Sequence, residues 1–268
     1  MKILNARKIN GLFTFVGYLF IWGPIVVLGI FSFNASAYGV KWESLTLKWY
    51  VDLFHTSAIM KAVLRSLFIA SVTTVFATVI GTLAGYGLFK YKFVGRRALR
   101  MSVLLPITVP YVIMAGALLV YFTRIVHIPL GYPAIIIAHI SFSAPLAVFV
   151  TLGRMQRINW SLEEASVDLG ANTLTTWRKV TIPLLMPSIF ASAVLIFPWS
   201  FNDFTVTYFV AGVGTTTLPL YLFSMLEYSL KPVLINAISL IFIVLPIFFI
   251  FLMYLYKGIR KTPSTSNP

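Results

Sequence analysis

Residues 153–187 read GRMQRINWSLEEASVDLGANTLTTWRKVTIPLLMP. Four bases (Arg154, Arg157, Arg178 and Lys179) and three of the chain's seven acids (Glu163, Glu164 and Asp168) fall inside these 35 residues. The flanks differ sharply: 29 uncharged residues separate Arg124 from Arg154, and 23 separate Lys179 from Asp203. A helix needs about 20 residues to cross a hydrocarbon core roughly 30 Å thick. The segment therefore reads as an aqueous loop between two membrane spans.

The same logic extends outward. The 268 residues are 59% hydrophobic with a mean hydropathy of +0.90, above the roughly 45–50% apolar content of soluble domains, which excludes a soluble globule. Further uncharged windows run from Lys8 to Lys41 (32 residues), Arg65 to Lys90 (24), Arg100 to Arg124 (23), Asp203 to Glu227 (23) and Lys231 to Lys257 (25). The window after Asp203 holds Gly212, Gly214, Thr215 to Thr217 and Pro219, and reads as a loop. The window before it opens with Pro183 and Pro187, so the fifth span is set from Ser188 through Asp203 to Val210. The expected architecture is all-α: a polytopic membrane protein, one transmembrane domain over 1–268, with spans at about 12–33, 66–89, 101–122, 132–152, 188–210 and 234–256. The first run follows Lys2, Arg7 and Lys8 as a signal peptide does, but is too long and lacks a small-residue cleavage pattern, so it is read as a retained span.

Six spans put both termini on one side. That side collects Lys2, Arg7 and Lys8; Lys90, Lys92, Arg96, Arg97 and Arg100; the four bases of the quoted loop; and Lys257, Arg260 and Lys261. The other receives only Lys41, Lys48, Lys61, Arg65, Arg124 and Lys231. Basic residues accumulate in cytoplasmic loops, so both termini are expected in the cytoplasm. The net charge of +14 then reflects orientation and anionic lipid, and requires no nucleic acid. Cysteine is absent and His55, His127 and His139 lie far apart, which offers no metal-ligand spacing.

Within the loop, Ser161 and Glu164 have the spacing of a capping box: the hydroxyl is expected to accept from the Glu164 amide while the carboxylate reaches back. A helix over Leu162 to Leu169 follows, ended by Gly170 in the left-handed region, and a second short helix from about Thr173 stops before Pro183. A helix resting on headgroups should carry bases on its polar face, whereas this one carries three acids. It points to a basic protein partner in the cytoplasm.

Glu164-Ala165-Ser166, three residues, Gly170, nine residues, then Val180-Thr-Ile182-Pro183 resembles the EAA loop of membrane subunits of bacterial ABC importers: Glu-Ala-Ala, three residues, Gly, nine residues, Ile-x-Leu-Pro. The departures are Ser166 for Ala, Val180 for Ile and Ile182 for Leu. Phe31-Ser-Phe-Asn34, Leu47-Lys-Trp-Tyr50, Arg65-Ser-Leu67, Ser200-Phe-Asn-Asp-Phe204 and Leu218-Pro-Leu-Tyr-Leu-Phe-Ser-Met225 are similar to the second permease of spermidine/putrescine importers, where the fourth of these motifs often reads Ser-x-Asp-Asp-Phe and Asn202 here replaces the first Asp.

The resemblance implies a type I importer permease in the bacterial inner membrane. Its partners would be a homologous permease, two copies of a cytoplasmic ATPase and a periplasmic substrate-binding protein. ATP would be bound by the partner ATPase and no cofactor by this chain, which has no Gly-x-x-x-x-Gly-Lys-Ser/Thr loop. Glu163, Glu164, Ala165, Ser166, Asp168, Gly170 and Pro183 would form the ATPase-coupling site. Other importer substrates (ferric iron, thiamine, phosphonate, sugar) share the loop. A secondary transporter of six spans leaves the acidic elbow unexplained, and a membrane enzyme needs a catalytic cluster that does not appear.

A charge inside a span marks a function by default. Asp203, fifteen residues along span five, lies about 22 Å from its inner end. His139 enters span four about 10 Å from the outer side, so the two share a level. With Trp199, Asn202 and Tyr208 near in sequence, these five residues are the candidate substrate path, suited to an ammonium group. With equal weight, Asn202 and Asp203 instead cap a helix broken near Pro198 or bond the neighbouring permease, while His139 reads as a packing residue.

Overall fold

In a computed structural model the chain is described over residues 2–36, 38, 41–103, 105–228 and 232–260. Thirteen α-helices follow in order: α1 (Lys2–Phe31), α2 (Lys48–His55), α3 (Ser57–Lys90), α4 (Arg96–Ser102), α5 (Leu105–Thr108), α6 (Tyr111–Val120), α7 (Tyr132–Met155), α8 (Ser161–Asp168), α9 (Thr173–Thr176), α10 (Ile182–Phe201), α11 (Thr205–Val210), α12 (Leu218–Tyr228) and α13 (Pro232–Arg260). Wider π turns cover Tyr121–Ile125 and Trp177–Thr181. The only extended pairing among the described residues is the bridge between Asn34 and Leu45. Among the described residues, four helical stretches are long and apolar enough to span a membrane: Asn10–Phe31, Ser57–Lys90, Tyr132–Met155 and Thr173–Phe201. Two shorter apolar ones, Tyr111–Ile125 and Pro232–Phe248, correspond to the expected spans three and six.

Several expected boundaries move. Span two begins at Ser57, so Lys61 and Arg65 lie on the helix that a charge-based window excluded. Span three is not one helix: the chain leaves helical geometry at Pro110, whose φ of −54° and ψ of 130° are extended, and α6 starts at the next residue, where a proline without an amide costs no helical bond. The helix starting at Thr173 does not stop before Pro183. It widens to a π turn over Trp177–Thr181 and continues as α10 with Pro183 in the first turn. The wider turn makes room for a ring that lacks an amide and would crowd the carbonyl four residues back. Span five then ends at Phe201, short of the expected Val210.

The chain forms two compact units, Lys61–Tyr221 and the segments on either side of it. In the flanking unit, α13 packs on α1 and α2. Asn34 is fully buried: its Nδ2 donates to the Lys41 carbonyl (2.7 Å) and its Oδ1 accepts from the Glu43 amide (3.0 Å). Trp49 Nε1 donates to the Asn34 carbonyl (2.8 Å), and Ser32 Oγ and Tyr50 OH are 2.7 Å apart. Phe31-Ser-Phe-Asn34 and Leu47-Lys-Trp-Tyr50 thus clasp each other.

In the central unit, α7 packs along α10, with α11 against α6 and α7. Ile69, Phe122, Ile135, Ala138, Phe142, Val206 and Val210 form the core. Helix α3 meets α7 through Gly81 and Gly85, four residues apart. A Cβ on Gly81 would strike the Ala147 Cβ and the Ala144 carbonyl, and one on Gly85 would sit 3.0 Å from Thr151 Cβ. Hydrocarbon gives no hydrophobic drive between helices, so such small-residue faces supply association by close packing.

Gly81→Val is expected to destabilise the protein by about 3 kcal/mol, since the obstructing atom is a backbone carbonyl. Gly87→Ala, where a Cβ meets nothing within 4 Å, should be neutral or slightly stabilising. Thermal unfolding of both variants in detergent measures the contrast.

Candidate functional site

Helix α8 begins one residue before its expected start and ends as Gly170 turns left-handed, with φ of +82°. The Gly170 amide donates to the Val167 carbonyl (2.8 Å) and the Ala171 amide to the Ser166 carbonyl (3.1 Å), a Schellman close. The N-terminus differs from the expected capping box. The Ser161 amide and hydroxyl both donate to Asn159 Oδ1, at 3.2 and 2.9 Å, and the amides of Glu163 and Glu164 point to the Trp160 carbonyl. A carboxamide two residues upstream closes a local turn first, leaving the serine hydroxyl a donor rather than an acceptor. Asn172 caps α9 through the Thr175 amide (2.8 Å), and Ser166 Oγ meets Thr176 Oγ1 at 2.9 Å, joining the two arms of the elbow.

The loop's acids divide into two kinds. Glu163 is buried. Lys90 Nζ donates to its Oε2 (2.5 Å), Thr181 Oγ1 to its Oε1 (2.5 Å), and the Lys90 ammonium lies 4.7 Å from the Trp160 ring centroid. Glu164, Ala165, Asp168 and Gly170 face outward, Ser166 is half-buried, and Pro183 is exposed in the first turn of α10. Beside the exposed acids stand bare apolar side chains: Leu169 is 88% and Leu174 77% exposed, with Leu162 and Val167 also uncovered. A cavity of about 390 Å³ opens next to them, lined among others by Tyr86, Tyr91, Glu164, Asp168 and Trp177. Tyr86 and Trp177 pack edge to face at 4.7 Å. The sequence reading missed Lys90 and Thr181. The available signal was Lys90's place in the last turn of α3, but its partner lies 73 residues away.

A second locus sits where span five breaks. Asn202 ends α10, and Asp203 caps α11: its Oδ2 accepts from the Thr207 amide (2.8 Å) and Thr207 Oγ1 (2.9 Å), and its Oδ1 from the Val206 amide (3.5 Å). His139 of α7 completes the set. Its Nε2 lies 3.1 Å from Asp203 Oδ2 and its Nδ1 2.7 Å from Ser200 Oγ. The shared level expected for His139 and Asp203 is therefore a direct contact, with both side chains 1% exposed. Trp199, Asn202 and Asp203 line a cavity of about 540 Å³ together with Tyr111, Pro198, Phe204 and Thr205. Tyr208 is more than half exposed, packs on Phe204 and Phe209, and is not among the lining residues; nor is His139. Tyr111 went unremarked in the sequence because nothing there tied the start of α6 to the end of α10. No three His, Asp or Glu side chains gather as a metal site among the described residues.

Residues 77–261 match the family model described as the binding-protein-dependent transport system inner membrane component. The spermidine/putrescine transport system permease protein PotC of Escherichia coli (strain K12) is 34% identical over 240 residues, 90% of each chain. The putrescine transport system permease protein PotI of the same strain is 33% identical over 231 residues, 84% of this chain and 82% of that one. A chain in the crystal structure of a bacterial ABC transporter involved in import of the acidic polysaccharide alginate superposes with a TM-score of 0.71 at 17% identity, covering 98% of both. The helix order, the elbow after α7 and these likenesses together place the chain in the family of inner-membrane permease components of binding-protein-dependent ABC importers.

Proposed function

We propose that this permease passes polyamines such as spermidine and putrescine across the inner membrane, driven by a cytoplasmic ATPase that grips the elbow at α8. The observation that carries the coupling half is the elbow's outward face: Glu164 and Asp168 stand among Leu162, Val167, Leu169 and Leu174, all uncovered. Bare leucines in an aqueous loop are the apolar centre of a docking surface, and two acids at their edge select a basic groove. Gly170 lets a partner's backbone approach a turn in the left-handed region, which glycine adopts without the penalty of a Cβ.

The substrate half rests on the named relatives and on the cavity at the helix break. Trp199, Tyr111 and Phe204 supply aromatic faces, Asn202 an amide, and Asp203 a carboxylate at the edge. A negative charge held in low dielectric beside aromatic rings attracts an ammonium group, even though the carboxylate's own hydrogen bonds are already made. The family's arrangement completes the reading. The chain acts as one six-span domain with cytoplasmic termini, paired with a homologous permease, two ATPase subunits and a periplasmic binding protein. It hydrolyses no ATP itself and binds no cofactor.

In the purified complex, Glu164→Lys and Gly170→Val should each lower ATPase co-purification at least about tenfold; an ATPase retained at wild-type level in both variants refutes the docking. Asp203→Asn keeps one oxygen to accept from Thr207, since asparagine caps as well as aspartate, and removes the charge together with the weaker acceptor toward the Val206 amide. Spermidine uptake into proteoliposomes should then fall about tenfold at equal assembly, in line with the loss of a charged partner. Unchanged uptake excludes Asp203 from the path. Trp199→Ala should weaken uptake at limiting substrate by about fivefold, roughly 1 kcal/mol of cation–π attraction.

A further inference from the structure

We infer that Lys90, at the end of α3, is a positioning residue that ties the second span to the coupling elbow, so that a pull on α8 moves α3. The inference rests on the docking reading above and adds the transmission behind it. Glu163 has both carboxylate oxygens engaged, one by the last residue of α3 and the other by Thr181 in the π turn that leads into α10. The carboxylate is shielded and the ammonium only partly so, with the side chains of Glu163 and Lys90 10% and 33% exposed. Trp160 roofs the ammonium at 4.7 Å while its own Nε1 donates to the Met155 carbonyl at the end of α7 (3.1 Å). One acidic side chain on an eight-residue helix is therefore held by groups from two spans, while the end of a third holds the tryptophan that roofs its ammonium partner.

The arrangement is stiff for a reason specific to buried charge. An exposed ion pair slips at little cost because water takes over its contacts. Here the carboxylate end is buried, so parting leaves Glu163 with Thr181 as its remaining partner, and removing Lys90 alone does more harm than removing both members. Tyr86, one turn before Lys90 on the same helix, packs on both Trp160 and Trp177 at 6.4 and 4.7 Å, so the aromatic contacts follow the same route as the charges. Other polar contacts in the elbow are local. Asn159, Asn172 and the Ser166–Thr176 pair hold its shape but reach no span before α7.

The test uses the complete importer in proteoliposomes, with spermidine uptake and ATP hydrolysis measured together. Lys90→Gln and Glu163→Gln should each lower spermidine transported per ATP hydrolysed at least fivefold while the ATPase still co-purifies. The double variant should be no worse than the poorer single one. Lys90→Glu should be more severe than Lys90→Gln, and the exchange Lys90→Glu with Glu163→Lys should recover at least half of the wild-type ratio. A ratio unchanged in both single variants overturns the inference, as does an assembled exchange variant with no recovery. Failure of the docking reading is a separate result, because it appears as ATPase retained in Glu164→Lys whatever the transport ratio does. A residue that merely stabilised the fold would lower assembly and thermal stability while leaving the ratio intact, and that outcome also overturns it.

Discussion

Inside a bilayer there is no water to satisfy a freed amide or carbonyl, so a spanning segment must be helical and each interruption must bring its own partners. That constraint organises this protein. The break at the end of α10 is permitted because Asp203 takes the amides of Val206 and Thr207 that open α11, and His139 in turn takes Asp203. Pro183 is admitted because the turn before it has widened to a π helix. Pro110 interrupts span three at a helix start, where a missing amide removes no helical bond. The irregular points are where the cavity and the elbow occur, as expected if non-helical backbone at depth survives only where it lines a site.

The elbow obeys a different rule, that of a charge removed from water. Of its acids, Glu163 faces inward and is matched by Lys90 and Thr181, whereas Glu164 and Asp168 face outward. The division follows from helical geometry: 163 and 164 are about 100° apart around the axis, so adjacent glutamates cannot serve the same surface. One anchors α8 to its own membrane domain and the other remains available to a second protein. The exposed leucines lie with the second group.

The Asp203 locus shows two readings converging on one side chain. Its carboxylate caps α11, contacts His139 and is almost wholly enclosed, while its residue still borders a cavity with Trp199, Asn202 and Tyr111.

Much of the molecule was legible in the sequence. Uncharged windows marked the spans because charge is excluded from hydrocarbon, and Gly170 marked the helix end because a positive φ favours glycine. The spacing from Glu164 to Pro183 pointed to the family because a short helix, its stop and the next span keep a fixed distance along the chain. What the sequence could not show were matters of who meets whom. Asn159 outcompeted Glu164 for the Ser161 amide, and α10 ran through Pro183 yet stopped at Phe201. Lys90 found Glu163 across 73 residues, and Tyr111 came to border Asp203. Burial, helix and turn propensities are local properties of the chain and can be read from it. The partner of a buried charge or an interrupted backbone is chosen by packing, which exists only once the helices have come together.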